Sequence, residues 1–284
     1  MANAPITPAE IESYQAHVGR TLREIDVVGA HLAARMAATL DRPLPEHDLP
    51  AMWHHGLFQP SAPTLTLGHD GHPRRGGFLP PVSLPRRMFA GSDMRCLRRL
   101  RIGEEVTRDS RVLSVQHRQG RSGDLVFVRV ARTLSQAGIA CIEEEQAIVY
   151  RGAGVPTPPV TPKPPAPLTA GETARAWTPN TVELFRYSAA IFVAHRIHYD
   201  WNYVTQEEGY PGIIVHGPLT ATRLCEFAED VGQRNVTRFS FRGEAPLFAD
   251  QEIRLVGRMD GAERALRAER ADGVTAMSAT AEFG

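Results

Sequence analysis

The chain has 284 residues, with 32 basic and 32 acidic side chains and 42% hydrophobic residues. This is the composition of an ordinary soluble globular protein, and the length suits one large domain or two small ones with a real core. It excludes a mostly disordered chain, and no apolar run reaches the roughly 20 residues that span a bilayer.

The N-terminal segment lacks a basic start followed by an apolar stretch, so no secretory signal is expected. Thr7, Pro8 and Glu10 form a capping box with proline at the first helical position. Ile11, Val18, Leu22 and Ile25 then recur near helical spacing, although Gly19 interrupts them. Residues 27–40 are expected to form a second helix ending before Pro43, and residues 48–58 a short apolar one. From residue 100 the pattern changes. Strands are expected at 103–115, 125–132 and 139–150, with Gly120 to Gly123 as a hairpin turn. Residues 156–167 contain seven prolines and read as a semi-rigid linker. It separates an N-terminal domain, residues 1–155, from a C-terminal one, residues 168–284. The second half repeats the order of the first. A helix over 213–231 precedes strands at 236–241, 251–259, 265–270 and 276–282. The shared order suggests a structural duplication, without strong residue-level identity between the halves.

Charge is unevenly placed. Residues 74–132 carry 14 Arg against five acids, a local charge of +9, and the remainder carries −9. Lys163 is the only lysine. A basic block suits nucleic acid, a phosphorylated ligand or salt bridges to the acidic remainder. Interleaved aromatics and nucleic-acid motifs are missing from it, so no nucleic-acid partner is expected. Cys96, Cys141 and Cys225 are isolated and form no metal-ligand spacing. They suggest a reducing, cytoplasmic setting with neither disulfides nor a bound metal.

The densest polar cluster runs from Phe185 to Asp200, followed by a loop through Gly209, Tyr210, Pro211 and Gly212. His195, His198 and Asp200 place proton-transfer groups and a charge partner within six residues. A polar loop whose side chains satisfy one another is the competing interpretation. Gly217 stands where a helix opens, with Pro218 next to it. The first N–H groups of a helix have no intrahelical acceptor and lie at the positive end of its dipole. Such an N–H would polarise a thioester carbonyl, and glycine lets it approach. An ordinary helix start is the alternative.

These residues resemble the motif of the MaoC-like, hot-dog-fold enoyl-thioester hydratases. Ser188 matches its first serine, His198 and Asp200 its His-x-Asp, and Val215, His216 and Gly217 its second part. The version here is similar to the double-hot-dog branch of mesaconyl-C4-CoA and itaconyl-CoA hydratases and mitochondrial 3-hydroxyacyl-thioester dehydratases. Met52-Trp53, Gly71-His72-Pro73, residues 78–91 and 143–151 carry that resemblance into the N-terminal half.

The resemblance implies an α+β chain of two tandem hot-dog folds, each a helix wrapped by an antiparallel sheet. The C-terminal half would supply the motif, and the N-terminal half would serve structure and CoA binding. It implies hydration of a short unsaturated, dicarboxylic acyl-CoA without a cofactor. His198 would move the proton and Gly217 would hold the thioester oxygen. His195, Asp200 and Tyr199 would be their neighbours, with Tyr210 and His216 on the substrate. Arg196 and Arg223 are candidates for a distal carboxylate, and Arg242 for a CoA phosphate. A fatty-acid dehydratase and a non-catalytic acyl-CoA binder are the alternatives. Self-association is expected to be possible. The wider family's catalytic Asp, five positions before the His, is here Val193, which cannot accept a proton.

Overall fold

The computed structural model describes residues 5–120, 123–154, 156–258 and 264–284. Helix α1, Pro8–Gln15, starts at the expected capping box, with Thr7 and Glu10 capping each other reciprocally. It does not continue. Gly19 turns the chain at φ +84°, and Leu22 and Ile25 fall on strand β1, Thr21–Val27, instead of a helix face. Helix α2, Ala30–Leu40, ends with Asp41 in the left-handed conformation. The segment 48–58 is mostly irregular, with one 3-10 turn at Trp53–Gly56.

Strands β2 (Arg86–Cys96), β3 (Glu105–Gly120), β4 (Gly123–Gln136) and β5 (Ile139–Arg151) complete the first half. β2 was not anticipated. Its bulge between Phe89 and Gly91 breaks the alternation that marks a strand. The centre of the 120–123 turn, residues 121 and 122, lies outside the described residues, as do residue 155, just before the linker, and residue 259 of the 251–259 strand. The second half holds β6 (Glu172–Trp177), α3 (Thr181–Ala190) and α4 (Gly217–Gly232). It closes with β7 (Val236–Gly243), β8 (Ile253–Arg258), β9 (Arg264–Glu269) and β10 (Thr275–Phe283).

All the strands join one antiparallel sheet in the order β1-β3-β4-β5-β2-β7-β10-β9-β8-β6. Read outward from the centre, each half has the order second, fifth, fourth, third, first strand. The two orders are the same, so the duplication suggested by element order is present in the topology. The halves meet edge to edge where β2 pairs with β7, from Gly91 opposite Arg242 to Arg95 opposite Arg238. Gly91 is needed there, because a Cβ on it would lie 2.3 Å from the Phe241 carbonyl oxygen.

The halves carry unequal helices. α4 lays Leu219, Leu224, Phe227 and Ala228 onto the inner face of its sheet, opposite Phe239, Leu255 and Leu266. The first half has α1, which packs on β3, and the shorter α2, which packs on α3. The inner face of β3–β5 is therefore free to line a cavity.

Candidate active site

The site is built by the chain between α3 and α4. Asn180 caps α3, its side chain accepting from Glu183 N at 2.9 Å. Past Ile191 the chain reverses through Phe192, a non-glycine residue at φ +48°. A 3-10 turn, Arg196–His198, and a π turn, Tyr203–Glu207, lead to α4, where Pro218 sits in the first turn.

His198 Nδ1 donates to the Ile214 carbonyl at 2.7 Å. A carbonyl only accepts, so Nδ1 holds the proton and Nε2 carries a free lone pair. The ring stacks on His216 with centroids 3.6 Å apart and 20° between planes. His216 Nε2 lies 2.8 Å from Ser188 Oγ, and Tyr187 meets the His216 ring edge-on at 5.0 Å. Burial lowers the His198 pKa to about 4, with His72 adding to the shift and the Ile214 carbonyl opposing it. Burial, and then the neighbouring His198, holds His216 well below the ordinary histidine range. His195 is likewise held well below, by burial, His72, His198 and Arg87. All three rings are neutral at pH 7.

One cavity of about 1190 Å³ adjoins these groups. His195, His198, Tyr199, Tyr210, His216 and Gly217 line it, and so does Val193. His216 is only 2% exposed and its ring backs that of His198. The Tyr199 hydroxyl donates to the Ala194 carbonyl, and Tyr210 accepts from Arg151.

Four expected residues do not reach the cavity lining. The Asp200 carboxylate accepts from Arg196 at 2.8 and 3.0 Å and from Tyr203 N at 3.0 Å, so it braces the turn. Arg196 is consumed by that pair and lies over the Tyr203 ring. Arg223 ties Glu183 and the Leu40 carbonyl behind α4. Arg242 is exposed on β7, opposite Gly91. Sequence proximity to the motif misleads for these, because a turn and a helix send successive side chains in different directions.

The N-terminal half contributes more than expected. Arg74, Arg75, Arg87, Arg132 and Arg151 line the cavity, and none has a carboxylate within ion-pair distance among the described residues. Other Arg of the basic block do pair with acids, including Arg86 with Glu208 and Arg99 with Glu229 across the halves. Glu144 sits between His54 (3.4 Å) and His55 (3.1 Å), and also accepts from Ser92 and Gln146. Burial would raise its pKa, but His55 and His54 outweigh that and hold it well below the carboxylate range. Arg132, opposite Glu144 on β4, has its pKa lowered to about 10 by burial and by Arg108.

A loop over residues 68–73 also enters. Gly71 adopts φ +86°, and a Cβ there would lie 1.9 Å from the Ala194 carbonyl oxygen. Asp70 O accepts from Arg196 N at 2.9 Å, so the two backbones are in direct contact. Gly71→Ala is therefore expected to cost about 2 kcal/mol, combining left-handed strain with displacement of a bonded backbone. A urea midpoint equal to wild type would contradict that contact.

Asp70, His72, Arg87, Arg132, His54, His55 and Glu144 were not anticipated individually. Gly71-His72-Pro73, residues 78–91 and residues 143–151 carried the resemblance past His72, Arg87 and Glu144 without a role for them.

Comparison with known proteins agrees with this architecture. The chain is 45% identical over 275 residues to the mesaconyl-C4-CoA hydratase of Chloroflexus aurantiacus, covering 95% of this chain and 98% of that protein. It is 33% identical over 118 residues to the mitochondrial hydroxyacyl-thioester dehydratase type 2 of Schizosaccharomyces pombe, covering 40% of this chain and 38% of that one. The crystal structure of HtdX from Mycobacterium tuberculosis superposes with a TM-score of 0.69 at 18% identity, covering 93% of this chain and all of that one. A MaoC-like dehydratase structure superposes with a TM-score of 0.67 at 17% identity, over 96% of this chain. These two likenesses establish the MaoC-like double-hot-dog fold. The profile of hydroxyacyl-thioester dehydratase type 2 matches residues 52–249, which spans the 68–73 loop, the histidines and the start of α4; with the near full-length relative, it shows that the chain belongs to this hydratase and dehydratase family and is a hydro-lyase.

Proposed function

We propose that the chain adds water across the C2=C3 bond of a short unsaturated dicarboxylic acyl-CoA, and removes it in the reverse direction. The observation that carries this is the placement of His198, with its free Nε2, and Gly217, at the start of α4, on the wall of one cavity. The thioester carbonyl accepts from the Gly217 N–H, which has no intrahelical acceptor and lies at the positive end of the helix dipole. As the oxygen of water bonds to C3, the π pair moves through C2 onto the thioester oxygen. That N–H stabilises the enolate. His198 Nε2 holds the water, and the proton that leaves it ends on C2. The thioester itself is the electron sink.

The substrate class rests on the charged and polar groups of one cavity wall and on the named activity of the 45%-identical relative. Arg108, Arg132, Glu144 and Gln146 stand on the first-half wall. A long alkyl chain would have to desolvate them, so the longer substrates of fatty-acid synthesis fit less well. For the free carboxylate we assign Arg87. It is half-buried, lines the cavity, and acts electrostatically on Asp70, His72 and His195. Arg74 and Arg151 are assigned to the phosphates of CoA. Residues 1–155 are then the CoA-binding half and 168–284 the half bearing the motif.

Purified protein should consume a mesaconyl-type thioester, followed by loss of the enoyl-thioester absorbance. Arg87→Gln is expected to raise KM for that substrate roughly 10- to 100-fold, the worth of one charge-assisted contact. KM for crotonyl-CoA, which has no second carboxylate, should stay within a few fold. An equal rise for both would remove Arg87 from this role. Binding of acyl-CoA with no hydration of any enoyl-CoA would establish a non-catalytic binder instead.

A further inference from the structure

The C-terminal motif brings the imidazoles of His195, His198 and His216 to the cavity but no carboxylate. Val193 occupies the position where the wider family's motif has an acid, and Asp200 is turned away to Arg196. The 68–73 loop of the other half supplies what is missing. It is a tight turn, closed by Gly68 N to His72 O at 2.7 Å and Gly71 N to Gly68 O at 3.0 Å. Its contact with residues 194–196 has no slack, as the Gly71 geometry shows. At its end, Asp70 Oδ1 accepts from His72 N at 3.0 Å, and Asp70 Oδ2 lies 3.2 Å from His72 Nδ1. An ionised carboxylate only accepts, so His72 Nδ1 carries the proton and Nε2 is the free base. The His72 ring lines the cavity 4.1 Å from the ring of His195, which is 5.3 Å from that of His198. A carboxylate oxygen of Asp70 and one ring nitrogen each of His72 and His195 lie within 4.8 Å of one another.

We propose that Asp70 and His72 form the acid–base dyad of this site, standing in for the carboxylate absent at Val193. This rests on the hydratase reading above. In the forward step His72 Nε2 takes one proton from water while the oxygen bonds to C3 and the C2=C3 pair moves onto the thioester oxygen. The His72 imidazolium then returns that proton to C2, the enolate reforms the thioester carbonyl, and His72 is neutral again. His198 Nε2 accepts the second O–H of the same water and orients it. Of the two imidazoles, His72 is suited to the charged state because a carboxylate adjoins it. His198 has only a carbonyl partner and a neutral ring stacked on it.

Electrostatics support this division. Burial pushes the Asp70 pKa up, but the hydrogen bond and charge of His72, with Arg87, bring it to about 2. His72 is held below the ordinary range by burial, Arg87 and Arg75, against Asp70. A substrate carboxylate on Arg87 would cancel part of that opposition, so the base strengthens when the dicarboxylic substrate binds.

The test uses the full chain and a mesaconyl-type thioester. His72→Gln is expected to lower kcat at least 100-fold with KM within threefold. Asp70→Asn, which contacts no substrate, should lower kcat at least tenfold. It should also move the acid limb of the kcat/KM profile to lower pH, because the imidazolium loses its counter-charge. A purely structural Asp70 would leave that limb in place. Near wild-type kcat for His72→Gln, alongside an inactive His198→Ala, would overturn the dyad and leave the hydratase reading standing. A wild-type protein that hydrates no enoyl-CoA would overturn the reading beneath it. Should His72→Gln lose its cooperative melt, Asp70→Asn decides, and an unchanged kcat and profile there overturns the dyad.

Discussion

Replacing His198 by alanine is expected to lower kcat by about 10²- to 10³-fold, because the attacking water loses the group that orients it. The water held by Nε2 is lost, and no other described nitrogen is fixed in the same tautomer by Ile214. KM for acyl-CoA should change by only a few fold, since Gly217 and the cavity arginines remain. The fold should survive, because the ring borders an existing cavity and carries no charge at pH 7. A melting temperature at pH 7 close to wild type, together with the loss of kcat, would confirm a role in chemistry. Turnover near wild type would remove His198 from the mechanism, whatever the fate of the dyad.

Acid is expected to unfold the protein at unusually mild pH. His54, His72, His195, His198 and His216 all have lowered pKa values, with burial the largest cause for each. An unfolded chain binds protons at these rings near pH 6.5, while the folded chain does not until lower pH. The stability they contribute is complete above about pH 6.5 and is lost as pH falls through the folded values. For His198, with a folded pKa of about 4, the loss is about 3 kcal/mol once pH is below that value. Glu144, also held low, loses stability in the same direction on acidification. Glu226 acts the opposite way, since burial raises its pKa, but it is a single group. The melting temperature should fall by about 10 °C or more between pH 7 and pH 4.5. A flat profile over that window would mean that the rings are not buried neutral in solution.

The legible parts of the fold are those where one local rule suffices. The capping box at Thr7 locates α1 because cap chemistry is confined to one turn. The long strands β3 to β5 announce themselves because alternation persists over a dozen residues. β1 was misassigned because Leu22 and Ile25 fit a three-residue spacing by chance, and because its partner, β3, lies some 80 residues along the chain. β2 was missed because a bulge interrupts it.

The same division holds for the site. That His198 and Gly217 would line one cavity was readable because a turn and a helix start place them together within 20 residues. Asp70 and His72 were not, since they approach His195 only through the backbone contact of Gly71 with Ala194, across more than 120 residues. Arg87 depends in the same way on the inner-face register of β2 against β5, where it lies opposite Tyr150.

The +9 charge of residues 74–132 was visible from composition alone, as was the tandem order of elements. What the charge is for was decided by the tertiary structure. Pairing of β2 with β7 turns the two halves toward one cavity, and a first half without a counterpart to α4 leaves its sheet face open. Some of the arginines then meet acids of the other half, while Arg74, Arg87 and Arg132 face the cavity without a carboxylate at ion-pair distance among the described residues. Sequence determines how many charges there are and in which segment they fall. Which of them is neutralised depends on distances of a few ångströms across the fold, because Coulomb attraction between groups on the surface is screened beyond about 10 Å.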